Sequence, residues 1–269
     1  MIGTEFLREL IESVILTGRI KGCEPVSLLL IAAPESGKTS VVLSRPCKVV
    51  EAYADVTGKG IHKILQANTN LTHIVINDLV ATLSHKQSVN RYTISQLNAM
   101  TEEGITNIAS PSGIEKFTAG KRGVIASLTL ELATDARHWW NKVGFTSRML
   151  PFCYSYPADL IVKIKESIDF DASSNRNGTH KISIKDFPVP EKSISVEYPQ
   201  SVVADVRRVA DVRSMLMKEQ GMRRLKQYHH IAMGHAALRS RIRSRVTVED
   251  VKFIQRMDRY VSYDTPEPL

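Results

Sequence analysis

Phe6, Leu7, Leu10, Ile11, Val14 and Ile15 recur at helical spacing. That periodicity predicts an amphipathic helix over about residues 4–17, with Thr4 as its N-cap. Pro25 then opens an unbroken apolar run, Val26-Ser27-Leu28-Leu29-Leu30-Ile31-Ala32-Ala33. A short run of this kind predicts a strand buried on both faces, as in a parallel sheet. Further strands are predicted at 48–56, 73–76 and 123–128, with a short one at 149–154, and helices at 59–67 and about 90–103. Strands that alternate with helices predict an α/β chain of three layers around a parallel sheet. Around 165–200 the texture turns polar, and Pro188, Pro190 and Pro199 follow a turn-rich stretch, so a connector is expected, with a short strand at 181–184. From 200 to about 261 the pattern is helical, and Thr265-Pro266-Glu267-Pro268 ends the chain. Within it Thr247 and Asp250 fit the N-cap and N3 positions of a capped helix start. The expected division is 1–157, 158–200 and 201–269.

The composition, 43% hydrophobic and 24% charged residues over 269 positions, is that of a globular chain and excludes a collagen-like or disordered one. Three widely spaced cysteines (Cys23, Cys47, Cys153) fit a reducing compartment better than a disulfide scaffold. Glu5, Glu9 and Glu12 interrupt the first apolar stretch, unlike a secretory signal, and no run of 18 apolar residues occurs. A cytoplasmic protein with no membrane partner is therefore expected. The charge is uneven. Residues 201–261 hold 14 Lys and Arg against six Asp and Glu, which equals the whole formal net charge of +8. Such a segment calls for an anionic partner, DNA among them, although a solvated helix face is the plainer role.

The candidate chemistry follows the best buried strand. Ala33-Pro34-Glu35-Ser36-Gly37-Lys38-Thr39-Ser40 matches a phosphate-binding loop, with Ala32 in the first glycine position. Gly37 lets successive backbone amides turn toward a phosphate, Lys38 neutralises the β- and γ-phosphates of ATP, and the Thr39 hydroxyl takes Mg²⁺. The partner strand, Ile74-Val75-Ile76, runs into Asn77-Asp78. Asp78 is the natural metal-side carboxylate; capping a helix is its plainer role. Leu79 stands where a glutamate commonly serves as base, unless Asn77 and Asp78 take those two places, so no general base is identified. His229, His230 and His235 match no common zinc spacing. Trp139 and Trp140 suit a core anchor more than a base-stacking platform.

Together these residues resemble the AAA+ P-loop ATPases over about 25–154 and 201–261, with 155–200 unmatched. Gly123–Thr129 is similar to the sensor 1 strand, and the resemblance makes Thr129 the residue that orients the attacking water. Gly144–Phe152 is similar to the segment carrying an arginine finger, which would send Arg148 to a neighbour's γ-phosphate, a structural ion pair being the equal alternative. Gly221-Met222-Arg223-Arg224-Leu225 and the helices after it resemble a small all-α lid, with Arg223 at the sensor 2, nucleotide-binding position. Within the class the pattern is most like the minichromosome-maintenance-like helicases. There the loop 110–122, with Lys116, Lys121 and Arg122, would correspond to a hairpin that reaches DNA; a solvated loop is the plainer alternative.

The resemblance implies a P-loop NTPase core that binds and hydrolyses ATP with Mg²⁺, assembles as a homo-oligomeric ring or filament, and acts on DNA. A second hypothesis is a non-hydrolysing, nucleotide-dependent adaptor or loader for a protein partner, which the incomplete acidic pair motivates. A small-molecule kinase explains neither the lid pattern nor the basic excess.

Overall fold

The computed structural model describes residues 3–43, 46–110, 113–173, 187–217, 221–240 and 244–269. The chain enters through helix α1 (Glu5–Thr17), strand β1 (Ser27–Ile31), α2 (Lys38–Leu43), β2 (Val50–Tyr53), α3 (Gly58–Ala67) and β3 (His73–Ile76). It continues through α4 (Leu79–Leu83), α5 (Gln87–Glu102), a hairpin of β4 (Asn107–Ser110) and β5 (Gly113–Lys116), and β6 (Gly123–Leu128). Then come α6 (Leu130–Lys142), α7 (Phe145–Arg148), β7 (Met149–Ser155) and α8 (Ala158–Ser173). Helices α9 (Gln200–Met217), α10 (Met222–Arg239) and α11 (Val248–Arg259) precede β8 (Glu267–Pro268).

Six strands form one parallel sheet in the order β2-β3-β6-β1-β7-β8. All five residues of β1 are buried, which is why its sequence is apolar without alternation. Its side chains still divide by face. Leu28 and Leu30 join one apolar cluster with α1, α2 and α9–α11, while Leu29 and Ile31 join another with α3, α5 and α6. The sheet is thus sandwiched between two helical layers. The helices beyond residue 200 share a single continuous core with α1 and one face of the sheet.

The most extensive helix contact in that layer is between α1 and α10. A Cβ added to Gly234 would lie 2.2 Å from the Ser13 carbonyl oxygen, so only glycine lets the two backbones meet there. Polar groups fasten the same layer. His235 is hydrogen-bonded to Asp250 (2.7 Å) and Glu9 (3.0 Å) and stacks on Phe253 with ring centroids 4.0 Å apart. Burial would raise the Asp250 carboxyl, yet the bonds from His235 and Arg239 hold it down at about 2. Asp250 also accepts the Thr247 N–H (2.7 Å), completing the capping box expected at the start of α11.

The strands expected from the apolar runs are present, and three features differ from expectation. The stretch from 107 to 116 is a two-stranded hairpin, and α8 carries helix into residues whose polarity suggested a connector. The terminal Pro-rich segment returns to the sheet as β8, where Tyr154 and Ser155 pair with Glu267 and Pro268. Proline is tolerated there because an edge strand has an N–H side that needs no partner. Thr4 precedes α1 without a side-chain capping bond. The strand expected at 181–184 lies outside the described residues. Among the described residues no helix is long and apolar enough to cross a membrane.

Two outcomes follow for stability. Gly234→Ala should lower it by about 1–3 kcal/mol, as overpacking does, read as a drop in the urea midpoint at unchanged slope. His73 is fully buried with its Nε2 facing the Val26 carbonyl oxygen (3.2 Å), an acceptor, so Nε2 carries the proton of a neutral ring. Burial pushes its pKa down to about 4, the Val26 bond acting the other way. The unfolded chain then binds the extra proton first as pH falls. Stability should be full above about pH 6.5 and fall by up to roughly 3 kcal/mol toward pH 4. Urea midpoints measured across that window check it.

Candidate phosphate-binding site

The loop after β1 leaves the carboxyl edge of the sheet, where ligands of open α/β sheets bind. Two residues bend it through left-handed backbone, Glu35 at φ 61° and Gly37 at φ 70°, before Lys38 opens α2. Gly37 takes this conformation without cost, whereas Glu35 takes it with its side chain exposed. Pro34 has no N–H, so the loop's amide donors belong to Glu35, Ser36, Gly37, Lys38 and Thr39.

Lys38 is held inside this loop. Its Nζ donates to the carbonyl oxygens of Ala32 (2.8 Å) and Ala33 (2.7 Å) and to Ser36 Oγ (3.1 Å), which uses all three ammonium hydrogens. Burial lowers its pKa, and the nearby Asp78 carboxylate pulls the other way. The two side chains thus feel each other across the site.

Two tyrosines that the sequence did not single out fix the loop from beneath. Tyr154, on β7, and Tyr156, just past it, both donate to the Ser36 carbonyl oxygen, at 3.1 and 2.8 Å. No peptide bond is cis among the described residues. In a trans peptide the carbonyl and the following N–H point opposite ways, so pinning Ser36 C=O downward aims Gly37 N–H up into the loop. Burial raises both phenol pKa values, which keeps these hydroxyls protonated donors.

The strand order does the rest. β6 lies between β1 and β3, so its tip separates the loop from Asp78. Ser127 Oγ donates to the Asn77 carbonyl oxygen, and Thr39 Oγ1 faces the same oxygen at 3.5 Å. Asn77 Oδ1 is buried with no hydrogen-bond partner among the described residues. Asp78 is exposed and caps α4, accepting from Val80 N–H (2.9 Å), so its plainer role is realised beside its position across from Lys38. Thr129 caps α6 in the same way, through Leu132 N–H (3.5 Å), leaving its own hydroxyl hydrogen to donate elsewhere. Leu79 is fully buried in the core and takes no part.

Arg148 and Arg223 are not brought to this loop. Met149 is in register with Ser27, so Arg148 lies at the amino-terminal edge of the sheet, the length of β1 away, roughly 15 Å. There Arg148 donates to the Gly144 carbonyl oxygen (2.6 Å) and sits 3.4 Å from Glu102. Arg223 bonds Ser147 Oγ (3.0 Å) and Glu102 (3.1 Å), so one carboxylate holds both guanidiniums. Burial, and then the charge of Arg223, lower the Arg148 pKa.

Among the described residues, several of the cations beyond residue 200 are paired with carboxylates of other elements. Arg213 is paired with Asp258, Arg239 with Asp250 and Glu249, Lys226 with Glu24, Arg245 with Glu197, and Arg259 with Glu267. Arg224 is buried and Arg256 lies 4.1 Å over the Phe6 ring. His229 bonds Tyr198 and His230 bonds Glu24. Trp140 is fully buried against Phe145, the anchor role expected of it. Lys121, in the loop read as a DNA-reaching segment, is paired with Glu24 at 2.7 Å, and Arg122 is buried. No protein-family model matches the chain, and no curated protein matches it at a significant level.

Replacing both tyrosines (Tyr154→Phe with Tyr156→Phe) removes the two bonds to Ser36 C=O, worth about 1–2 kcal/mol together. Binding of an ATP analogue should weaken by roughly tenfold while the circular-dichroism melt keeps its shape, and either single change should do less. Isothermal titration of the three variants checks this.

Proposed function

We propose that the chain is an ATP-binding P-loop protein of the AAA+ type that completes its sites between subunits. The observation that carries this is the loop after β1, with Lys38 inside it and Asp78 facing it past the tip of β6. The amides of Ser36, Gly37, Lys38 and Thr39 would bind the phosphates, and the Lys38 ammonium would exchange the carbonyls of Ala32 and Ala33 for phosphate oxygens. Thr39 and, through water, Asp78 would hold Mg²⁺, whose chemistry is to neutralise charge on the transferred phosphoryl group. The donor set suits that ion: a hydroxyl and one carboxylate. Thr129, at the tip between the loop and Asp78, is the hydroxyl available to orient a water, since that of Ser127 is given to the Asn77 carbonyl oxygen.

Arg148 and Arg223 serve this scheme only in a neighbour, because their edge of the sheet is the one turned away from their own loop. Their shared hold on Glu102 keeps both guanidiniums together on that edge. A homo-oligomer, ring or filament, is thereby part of the proposal. Action on DNA draws support from the net charge of +8 and from the hairpin of β4 and β5, where Ile114 is 70% exposed. It draws little from the paired arginines beyond residue 200.

One observation favours the second reading, a nucleotide-dependent adaptor without turnover. Leu79 is buried where a base would stand, and Asp78 is engaged in capping α4.

In the AAA+ reading, specific ATPase activity rises with protein concentration, Lys38→Ala abolishes it, and Arg148→Ala lowers it by 10³-fold or more. Mixing the two inactive variants should restore part of the activity, since mixed assemblies pair an intact loop with an intact arginine. Tight ATP binding with no phosphate release at any concentration would instead select the adaptor. Activity independent of concentration and indifferent to Arg148→Ala would remove the shared site.

A further inference from the structure

The amino-terminal edge of the sheet carries a second set of cations that the nucleotide scheme does not use. Arg19 follows the C-terminus of α1, and Arg122 immediately precedes β6. They line one cleft of about 420 Å³, together with Thr69, Asn70 and Thr72 at the start of β3. A water occupies roughly 30 Å³ in the liquid, so the cleft has room for a polyatomic ligand.

Among the described residues neither guanidinium has a carboxylate partner. Arg122 is only 8% exposed, and its Nη atoms donate to the carbonyl oxygens of Lys121 (3.1 Å) and Thr69 (3.3 Å). Arg19 reaches only the Asn70 carbonyl oxygen, at 3.5 Å. Among the described residues the Nε atoms of both are buried without a hydrogen-bond partner. Burial lowers the Arg122 pKa, and the neighbouring charge of Arg19 lowers it further, so the two cations repel across the cleft. The one acid in the lining, Glu24, is already held by Lys121 (2.7 Å) and Lys226 (2.6 Å). Carbonyl oxygens satisfy hydrogens but supply no opposing charge. Two guanidiniums that share one cleft and have no opposing charge make it attractive to an anion.

We propose that Arg19 and Arg122 form a phosphate-binding site on the edge of the sheet opposite the P-loop. Two planar forks offer more donors than a carboxylate's two oxygens can take, and they match the three or four oxygens of a phosphate. The phosphate belongs either to a free phosphorylated molecule or to the backbone of a nucleic-acid strand. The site does not depend on the nucleotide reading, because β1 separates it from Lys38.

The test uses the full chain with Arg19→Gln, Lys38→Ala and the double variant. Arg19 is half-buried at a helix end, so its loss should spare the fold, and melting curves check that. Arg19→Lys keeps the charge without the fork and should recover only part of the binding. Inorganic phosphate is titrated by calorimetry, and a fluorescent single-stranded 12-mer by anisotropy at two salt concentrations. Phosphate binding should survive Lys38→Ala and weaken by about tenfold or more in Arg19→Gln, the scale of losing charge-assisted hydrogen bonds. A parallel loss of oligonucleotide affinity, with a shallower salt dependence, identifies a strand as the source; a loss confined to phosphate identifies a free phosphorylated ligand. No phosphate binding in the wild type overturns the proposal. So does equal binding by wild type and Arg19→Gln, or loss of all binding with Lys38→Ala alone, which would place the anion at the loop.

Discussion

Everything at the candidate site hangs on β1 being buried on both faces between β6 and β7. A parallel strand so placed cannot shift register by one residue without moving Leu28 and Leu30 out of one core and Leu29 and Ile31 out of the other. The loop that follows is therefore launched from a fixed point. Its neighbours are fixed by the same pairing: Leu128 lies beside Ile31 on one side and Cys153 on the other. The hydroxyl of one neighbour, Tyr154, consequently reaches the loop at Ser36, while that of the other, Ser127, meets the Asn77 carbonyl oxygen that Thr39 also faces. Packing, which carries no chemistry of its own, thus sets the chemistry's coordinates.

Within the loop, the physical problem is a half-buried ammonium. A lysine taken out of water needs acceptors for three hydrogens, and Ala32, Ala33 and Ser36 provide them. Those acceptors are neutral. A polyphosphate offers charged oxygens instead, so exchange is favourable for the lysine as long as the loop does not collapse when its carbonyls are released. The tyrosine pair answers that difficulty, because Ser36 C=O is anchored to β7 independently of Lys38. Preorganised amides lose little freedom on binding, which is where affinity at such loops comes from.

How much of this could be read from the residues depends on whether the signal was local. The buried strands announced themselves as apolar runs, and the loop as a glycine, lysine and threonine directly after one of them. Asp78 was legible for the same reason, at the end of Ile74-Val75-Ile76. Tyr154 was hidden because an aromatic on a buried strand reads as core, which it also is; only the position of its hydroxyl separates the two roles. Charge was the least legible. The excess beyond residue 200 was counted along the chain, but Lys226 meets Glu24 and Arg223 meets Glu102 across more than a hundred residues, and no linear count sees that. The place of Arg223 was not legible for a related reason: sequence order beyond the core says nothing about which edge of the sheet a helix start will face.

The two edges of the sheet end up with different chemistry, and this follows from chain direction. In a parallel sheet every strand begins on one side, so residues just before strands gather there: Arg122 before β6 and Arg148 before β7. Residues just after strands gather on the other: Lys38's loop, Asp78 and Thr129. One edge thus collects guanidiniums held by few carboxylates, and the other collects amides, hydroxyls and the carboxylates of Glu35, Asp55 and Asp78. A single copy cannot fold one edge onto the other, because the strands between them are rigid and buried. Arg148 and Arg223 can therefore meet such a loop only from another molecule, and an anion drawn to the arginine edge meets a surface the loop never touches. The separation is a property of strand polarity rather than of any one side chain, so no point substitution within one copy could remove it.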